Sequence, residues 1–363
     1  MNKKIVIIGS TGKLGSKLLN FLFKNKIQVF AATCFTNNKK LLEQKTKYKI
    51  KKTFVLGTKG DRNSFTSFLK NKIDIIYFLD YGSYSLNYLN SFLKYNTYSI
   101  IAIANKELII AGGPVLQKKM SHNRNKFIPL DSEHFSLLNS NINKNNVSKI
   151  YITASGGPFY FDKKISMSKV SIKNVLSHPK WKMGKNNLID SSNFINKVLE
   201  IYELSHIYDI SLSKIDFLIC KEAYVHSLIY YKDNTVSLNC FNNDMLITLI
   251  KPLSFFYNIK PLKIDNNYLD VKNLSLIVPK DNRFKIFKYY KEIIKFDHYK
   301  QILFMIINNS AHNLYLSNKL NYNDIVDYIM SEIKKHQIKD NLRSIDSILK
   351  FISKINKYYR SNV

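Results

Sequence analysis

Short apolar runs alternate with amphipathic segments along the first third of the chain. The apolar runs are Lys4–Ile8, Ile27–Cys34, Ile73–Leu79 and Ser99–Ala104. Runs of this length are typical of buried strands, and the segment Ser16–Asn25 that follows the first run has apolar residues at helical spacing. Regular alternation of strands and helices predicts a parallel α/β sheet.

The pattern changes beyond residue 150. Further strand-like runs follow at Ile150–Ala154, Phe217–Ile219, Val225–Tyr231 and Thr235–Cys240. From residue 283 onward, apolar residues recur at helical spacing, as in Ile325–Ile333 and Ile345–Ile352. We predict four parts: a nucleotide-binding domain (1–130), an α+β domain (131–256), a linker (257–282) and a C-terminal helical bundle (283–363).

Composition limits the classes of protein that fit. The chain has 363 residues and a formal net charge of +30, and its lysines are interleaved with Asn, Ile, Tyr and Phe. All five residue types use A/T-rich codons, so genomic composition explains the charge without a nucleic-acid partner; a weak, salt-sensitive nucleic-acid role is the alternative. No apolar run approaches the ~18 residues that span a membrane. Three scattered cysteines, Cys34, Cys220 and Cys240, indicate a reducing cytoplasm rather than a disulfide framework.

A glycine-rich turn follows the first strand. Gly9, Gly12 and Gly15 lie between that strand and the first amphipathic segment. Strand, glycine turn and helix together open a Rossmann-like dinucleotide-binding unit, in which backbone N–H groups approach a pyrophosphate. After the second strand, the segment Phe35–Lys40 contains no acidic residue to accept from a free ribose hydroxyl. This favours NADP over NAD, the alternative being a solvated basic turn.

Two acidic segments indicate a cation site beside an anionic substrate. Asp131 and Glu133 are two residues apart, so on an extended segment both carboxylates project to one side. Within Asp190–Glu200, helical spacing places Lys197 and an amide next to Glu200. The alternative is structural: a helix cap at the start of that segment, a surface Lys–Glu pair and an ordinary acidic turn.

Small residues and a tryptophan loop complete the candidate chemistry. The strand after residue 150 ends in Ser155–Pro158, a turn able to donate backbone N–H groups. The segment His178–Gly184 contains the one tryptophan of the chain and is predicted to be a flap over the substrate. Asn105–Glu107 directly follows a strand, at an end where open α/β sheets bind ligands.

These pieces resemble one family, the 1-deoxy-D-xylulose 5-phosphate reductoisomerases. The motifs are GSTGKLG (Gly9–Gly15), ANKE (Ala104–Glu107), PLDSEH (Pro129–His134), ASGGPF (Ala154–Phe159), HPKWKMG (His178–Gly184) and DSSNFINKVLE (Asp190–Glu200). The resemblance covers Ile5 to about Met245 and is weaker beyond. It implies NADPH- and metal-dependent (Mg²⁺ or Mn²⁺, with Co²⁺ also able to serve) conversion of 1-deoxy-D-xylulose 5-phosphate to 2-C-methyl-D-erythritol 4-phosphate in isoprenoid synthesis. It also implies a homodimer formed through the middle domain, with no membrane partner.

The resemblance assigns roles to individual residues. Three carboxylates would ligate the metal: Asp131, Glu133 and Glu200, the last two also contacting the substrate. Four residues would hold the substrate phosphate: Ser155, Ser191, Asn196 and Lys197. Ser132 would contact the substrate hydroxyls, Lys106 would supply positive charge to the reacting oxygens, and the flap would contribute a catalytic His178 with Trp181 and Met183. The cofactor would contact Gly9, Thr11, Gly12, Lys13, Leu14, Asn37, Asn105, Lys106, Glu107 and Gly184.

Several positions depart from the family pattern. Phe35 and Thr36 replace a glycine and a basic residue, which weakens the inference of NADP selectivity at the second strand. A glycine pair is largely lost around Gly82–Asn87, and the helical tail keeps little of its motif beyond Asn308. Because every expected metal and phosphate ligand remains, we expect an active enzyme. The alternatives are a related reductase acting on another polyol phosphate and a degenerate, non-catalytic basic binding protein.

Overall fold

The computed structural model describes residues 3–177, 184–260, 262, 273–336 and 341–361. The chain forms two compact units, and neither is continuous in sequence. The first takes its residues from Met1–Ile109, Leu116–Leu138 and Asn242–Asp270. The second takes its residues from Ile110–Val115, Asn139–Phe241 and Val271–Val363. The domain boundaries inferred from the sequence stay predictions, and part of the predicted linker (residue 261 and residues 263–272) lies outside the described residues.

The first unit is built on a six-stranded, wholly parallel sheet. Its strands are β1 (Ile5–Ile8), β2 (Ala31–Cys34), β3 (Lys52–Val55), β4 (Ile75–Phe78), β5 (Ile100–Ile103) and β6 (Lys126–Pro129). They lie in the order β3-β2-β1-β4-β5-β6, with Ile5 opposite Ile75. Every residue of β1, β2, β4 and β5 is buried, as expected for parallel strands covered on both faces. The predicted Rossmann-like sheet is confirmed.

Among the described residues, seven α-helices lie in the segments around this sheet. They are α1 (Lys13–Lys24), α2 (Asn38–Lys47), α3 (Lys59–Phe68), α4 (Ser85–Leu93), α5 (Lys106–Ser121), α6 (Ser132–Ser136) and α10 (Met245–Ile250). In α1 the residues Gly15, Leu18, Leu19 and Leu22 form the buried stripe. That spacing is one face of a helix, and burying each leucine stabilises the unit by about 1.5–3 kcal/mol.

The second unit begins with a four-stranded sheet. Its strands are β7 (Val147–Ala154), β8 (Ile215–Ile219), β9 (Val225–Tyr231) and β10 (Val236–Cys240), in the order β10-β9-β7-β8. Strands β7 and β8 are parallel, and the other two pairs are antiparallel. In the part of this segment that the structure describes, the sheet is accompanied by α7 (Ile172–Leu176), α8 (Lys185–Ser192) and α9 (Ile195–Tyr208). Helix α9 packs on β7 and β8.

The C-terminal part of the second unit is helical, as predicted. Its helices are α11 (Ile286–Ile293), α12 (His298–Leu316), α13 (Ile325–Lys335) and α14 (Ile345–Ser361). Helix α12 is buried on almost all sides because it packs against α8, α13 and α14. Among the described residues, no helix is both long enough and apolar enough to span a membrane.

Local structure corrects two sequence-based predictions. The second strand is shorter than Ile27–Cys34, because the Ile27 N–H bonds to the carbonyl of Leu22 and closes the end of α1. The segment Asp131–Glu133 is not extended. Asp131 is the residue before α6, and its carboxylate accepts from the N–H of Ser132, so Glu133 lies in the first helical turn.

Candidate functional site

At two positions of the glycine turn after β1, only a residue without a Cβ fits. Gly9 has φ +83°, and a Cβ there would lie 2.6 Å from the backbone nitrogen of Asp80. A Cβ on Gly15 would lie 2.5 Å from the carbonyl oxygen of Gly9. These glycines therefore allow the turn to pass close to β4 and let α1 approach β1. Gly12 provides no side-chain cap for α1, so the start of the helix remains available to an anion.

Residues after β2 support this turn from the neighbouring strand. The Asn37 side chain caps α2 by accepting from the N–H of Lys40 at 3.1 Å. The Lys40 ammonium donates to the carbonyl of Thr11 at 2.7 Å and thereby places a positive charge over the glycine turn. Asn37 thus has a structural role as a cap, and its predicted contact with the cofactor stays a prediction.

Asp80 is a charged group that the sequence analysis did not identify. It directly follows β4, and β1 and β4 are the adjacent strands where the strand order reverses, which is where such sheets bind their ligands. Its carboxylate accepts hydrogen bonds from Ser85 and, at 3.2 Å, from Asn105. Burial raises the pKa of Asp80 from 3.8 to about 6, and the hydrogen bonds oppose that rise.

Asp80→Asn is expected to stabilise the protein at neutral pH. Because burial raises the pKa of Asp80 to about 6, the folded state favours the protonated form. The stability cost of the charged form is absent below the unfolded-state pKa near 3.8 and reaches its full size above about pH 6. The free energy of unfolding should rise on the order of 1–3 kcal/mol at pH 7.5 and by less at pH 5. Urea unfolding at both pH values tests this, and an equal gain at both would contradict it.

The start of α5 connects Asp80 to the acidic segment Asp131–Glu133. Asn105 caps α5 by accepting from the N–H of Leu108 at 3.0 Å, while its amide donates to Asp80 and to the carbonyl of Gly82. Lys106 is buried, and its ammonium lies 2.9 Å from Asp131 Oδ2. The cap thus fixes the first turn of α5, which presents this ammonium to the Asp131 carboxylate.

The acidic segment itself is compact. The Ser132 hydroxyl donates to Glu133 Oε2 at 2.5 Å, and the Asp131 carboxylate accepts from the backbone of Ser132. In the first unit, the structure therefore brings together four predicted site residues: Lys106, Asp131, Ser132 and Glu133. Glu107, predicted to contact the cofactor, is buried next to Lys106.

The first turns of α9 hold the second group of site residues. The Lys197 ammonium donates to Glu200 Oε2 at 2.6 Å, and the Asn196 amide donates to Glu200 Oε1. The predicted Lys197–Glu200 pair is present, but it is buried: Glu200 is only 1% exposed. The structural alternative, in which this is a surface pair, is wrong, because α9 is enclosed on nearly all sides by its neighbours. Both oxygens of one carboxylate are thus fixed by chain donors.

The structural alternative assumed that a helix starts at Asp190 or Ser191, and this is wrong. Asp190 and Ser191 lie in the last turn of α8, and the chain turns through Asn193 and Phe194, with φ +66° at Phe194, before α9 begins. The Asn193 side chain accepts from the N–H of Ile195 at 3.0 Å and stabilises this connection. Ser191 and Asn196 are therefore presented by two different helices.

The small-residue turn after β7 packs against Ser191. The N–H of Gly157 donates to the Ser155 hydroxyl at 3.4 Å. Gly157 has φ +59°, and a Cβ there would lie 2.8 Å from the carbonyl oxygen of Ser191. Within the second unit, the structure thus brings together the Ser155 turn and the Ser191 backbone, two of the predicted phosphate contacts.

Most of the predicted flap, residues 178–183, falls outside the described residues. His178, Trp181 and Met183 lie outside the described residues. Gly184, at the end of the same motif, is exposed and immediately precedes α8.

Thr11 is in the glycine turn, and Lys13 and Leu14 form the first turn of α1, where a bound pyrophosphate is expected.

Each unit carries carboxylates of the kind that bind divalent cations. The first unit offers the carboxylates of Asp131 and Glu133, and the second offers Glu200, all hard oxygen donors of the kind that Mg²⁺ and Mn²⁺ require. The parallel sheet, its strand order and the glycine turn define a dinucleotide-binding enzyme of the Rossmann type.

Comparison with known proteins identifies the family. The model of the 1-deoxy-D-xylulose 5-phosphate reductoisomerase C-terminal domain matches residues 127–208, and that of the DXP reductoisomerase C-terminal domain matches residues 242–358. The Pelagibacter ubique 1-deoxy-D-xylulose 5-phosphate reductoisomerase is 34% identical, over 89% of this chain and 89% of the relative. The Sulfurihydrogenibium protein of the same name is 30% identical, over 97% and 96%. The chain belongs to the 1-deoxy-D-xylulose 5-phosphate reductoisomerase family.

Solved structures agree on the fold. A crystal structure of DOX-P reductoisomerase in complex with NADPH, fosmidomycin and magnesium superimposes with a TM-score of 0.85 at 22% identity, covering 99% of this chain and 98% of the other. The Zymomonas mobilis reductoisomerase in complex with NADPH gives a TM-score of 0.84 at 20% identity, covering 99% of both chains.

Proposed function

We propose that this protein catalyses the NADPH- and divalent-metal-dependent conversion of 1-deoxy-D-xylulose 5-phosphate to 2-C-methyl-D-erythritol 4-phosphate, a step of isoprenoid synthesis. Family membership over 89% of the chain supports the reaction. The structural observation that supports it best is the first part of α9, where Asn196 and Lys197 fix both oxygens of the buried Glu200 carboxylate. A surface ion pair would not require that arrangement, whereas a preorganised ligand for a cation does.

Asp131, Glu133 and Glu200 are proposed as the metal ligands. When bound, the cation would neutralise charge that develops on two substrate oxygens during the rearrangement. The buried Lys106 donates to Asp131 and orients that carboxylate. Lys106 would also stabilise the developing oxyanion of the substrate directly, because a fixed ammonium in a buried site loses little energy to reorganisation.

Ser155, Ser191, Asn196 and Lys197 are proposed to bind the substrate phosphate, and Ser132 its hydroxyls. Binding energy from a phosphate remote from the reacting carbons can be used to orient those carbons. Lys197 is well placed for a double role, since it donates to Glu200 and would also face the phosphate. His178, Trp181 and Met183 stay proposed contributors from the flap that exclude water from the substrate.

NADPH is proposed to bind along the glycine turn and the first turns of α1 and α5. It would supply the hydride that reduces the rearranged aldehyde. The segment after β2 contains no acidic residue, and the Lys40 ammonium lies against Thr11 in the glycine turn. Both observations support a cofactor with a 2′-phosphate.

The three cysteines are free thiols, which supports the predicted cytoplasmic location.

We further propose a homodimer that forms through the four-stranded sheet. On β9 and β10, Tyr230, Val236 and Leu238 are 40–51% exposed, although they are apolar and lie beside one another in the strand register. Leu238 pairs with Leu228, which belongs to a small apolar cluster on this sheet. Contiguous exposed apolar residues of this kind mark protein–protein contacts.

Leu238→Asp is therefore expected to shift the protein from dimer to monomer. A carboxylate at this position would have to be desolvated in the interface, which costs more than the apolar contact it replaces. Sedimentation velocity at micromolar concentration measures the mass, with Leu274→Asp as the control because Leu274 is also exposed, at 42%, but lies outside the sheet. An unchanged dimer in the Leu238 variant would refute this interface.

The reaction is tested by following NADPH absorbance after adding 1-deoxy-D-xylulose 5-phosphate with Mn²⁺, and again with EDTA. Oxidation that requires both the sugar phosphate and the metal supports the proposal. No oxidation by folded protein that binds NADPH would instead indicate a different polyol phosphate as substrate. Failure to bind NADPH would indicate a non-catalytic protein.

A further inference from the structure

A buried polar cluster joins the end of α8 to α12. Asp190 is 3% exposed, and its Oδ1 accepts hydrogen bonds from Asn308 Nδ2 at 2.9 Å and from His312 Nε2 at 2.8 Å. Asn308 and His312 are four residues apart on α12, so both donors lie on one face of that helix. Both side chains are almost completely buried.

This polar cluster stabilises the contact between α8 and α12 less than apolar side chains of the same size would. Taking a carboxylate out of water is unfavourable unless donors compensate it, and apolar residues of similar volume usually stabilise such a contact better. His312 Nδ1 also has no hydrogen-bond partner within the described parts of the chain. Because two donors converge on a single Asp190 oxygen, the cluster mainly fixes the position of the end of α8 relative to α12.

The position of Asp190 relative to α12 determines where Ser191 lies. Ser191 follows Asp190 in the last turn of α8. A Cβ added to Gly157 would lie 2.8 Å from the Ser191 carbonyl oxygen, so the two segments are in close contact. The last turn of α8 is thus held by α12, through Asp190, and also lies against the Ser155–Gly157 turn. A shift of Asp190 relative to α12 would move the Ser191 hydroxyl relative to Ser155.

We propose that Asp190, held by His312 and Asn308, is a positioning residue for the phosphate-binding serines. This inference rests on the proposed function, because it assumes that Ser155 and Ser191 contact the substrate phosphate. Neither Asp190 nor His312 contacts the substrate; they act through the backbone of α8. Removing the His312 donor should therefore weaken recognition of the phosphate and leave the cofactor site unchanged.

The test compares His312→Leu, His312→Gln and Tyr315→Phe in the full-length protein. Leucine removes the donor, whereas the glutamine amide reaches the position of Nε2 and preserves it. Tyr315 lies one turn further along α12 and is buried, so Tyr315→Phe controls for a general disturbance of the helix. The KM and kcat for 1-deoxy-D-xylulose 5-phosphate, kcat/KM for the same sugar without its phosphate, and the Kd of NADPH are measured for each.

His312→Leu is expected to raise the KM for the phosphorylated sugar about 10- to 100-fold, the effect of a displacement of roughly 1 Å at a binding group. Its kcat/KM for the unphosphorylated sugar and its Kd for NADPH should match the wild type, and His312→Gln should restore most of the lost affinity. Equal losses on both sugars, or no rescue by glutamine, would overturn the proposal. If His312→Leu does not fold, Asn308→Ala replaces it, since Asp190 then keeps one donor.

Failure of this inference is separable from failure of the proposed function. A wild-type protein that does not convert 1-deoxy-D-xylulose 5-phosphate refutes the proposed reaction. An active wild type whose His312 variants show no selective loss for the phosphorylated sugar refutes only the positioning role.

Discussion

Glu200→Gln is expected to reduce metal-dependent oxidation of NADPH about 1,000-fold, a loss equivalent to about 4 kcal/mol. The substitution keeps the shape of the side chain but replaces a charged ligand with a neutral amide. Affinity for NADPH should change little, because Glu200, in α9, is not among the residues proposed to contact the cofactor. Initial rates across a Mn²⁺ titration, with NADPH binding followed by fluorescence, measure both quantities.

The control for this variant is Glu292→Gln, which removes a carboxylate from the exposed surface of α11. Its rate should equal that of the wild type. The Glu200 variant also leaves the Lys197 ammonium beside a neutral partner, so a lowered melting temperature is expected alongside the kinetic loss. Wild-type rates in a Glu200→Gln protein would exclude this residue as a metal ligand.

Gly15→Ala is expected to destabilise the first unit by about 1–3 kcal/mol and to weaken NADPH binding about tenfold or more. In an ordinary helix this substitution stabilises by about 1 kcal/mol. Here the new Cβ would lie 2.5 Å from the Gly9 carbonyl oxygen and from Ser10 Cα, so α1 would have to move away from β1. Urea unfolding and NADPH titration measure the two effects.

Gly60→Ala provides a matched comparison within the same unit. Gly60 lies in α3, and a Cβ there would meet nothing within 4 Å. This variant should gain up to about 1 kcal/mol and bind NADPH normally. Destabilisation of similar size in both variants would mean that the close approach at Gly15 does not determine the packing of α1.

Local spacing predicted much of the site. Lys197 and Glu200 are three positions apart, and on a helix that spacing brings their side chains together, as the 2.6 Å contact confirms. The strand-turn-helix pattern around Gly9 likewise depends on neighbours in sequence, which explains why the parallel sheet was predicted correctly. Features that follow from backbone conformation over a few residues are therefore within reach of sequence analysis.

Burial and tertiary contacts were not predictable in the same way. The structural alternative placed Lys197 and Glu200 in a surface pair because charged residues usually lie at the surface, yet α9 is enclosed by elements distant in sequence. The perturbed Asp80 was missed because its pKa depends on burial and on Asn105, 25 residues away. Short strands such as Lys52–Val55 and Lys126–Pro129, each beginning with an exposed lysine, have no distinctive pattern of their own.

The first hydrophobic core is completed by residues made late in synthesis. Leu249 and Leu253 are fully buried in the same cluster as Ile5 and Ile7, and the Tyr77 hydroxyl donates to the carbonyl of Leu249, 172 residues away. At typical translation rates, the ribosome needs about 10–30 s to add those residues. During that interval the nascent sheet exposes the apolar surface that Leu249 and Leu253 later cover, which makes the growing chain a substrate for chaperones. For the same reason, a fragment that ends at residue 138 would lack part of its own core and is expected to aggregate.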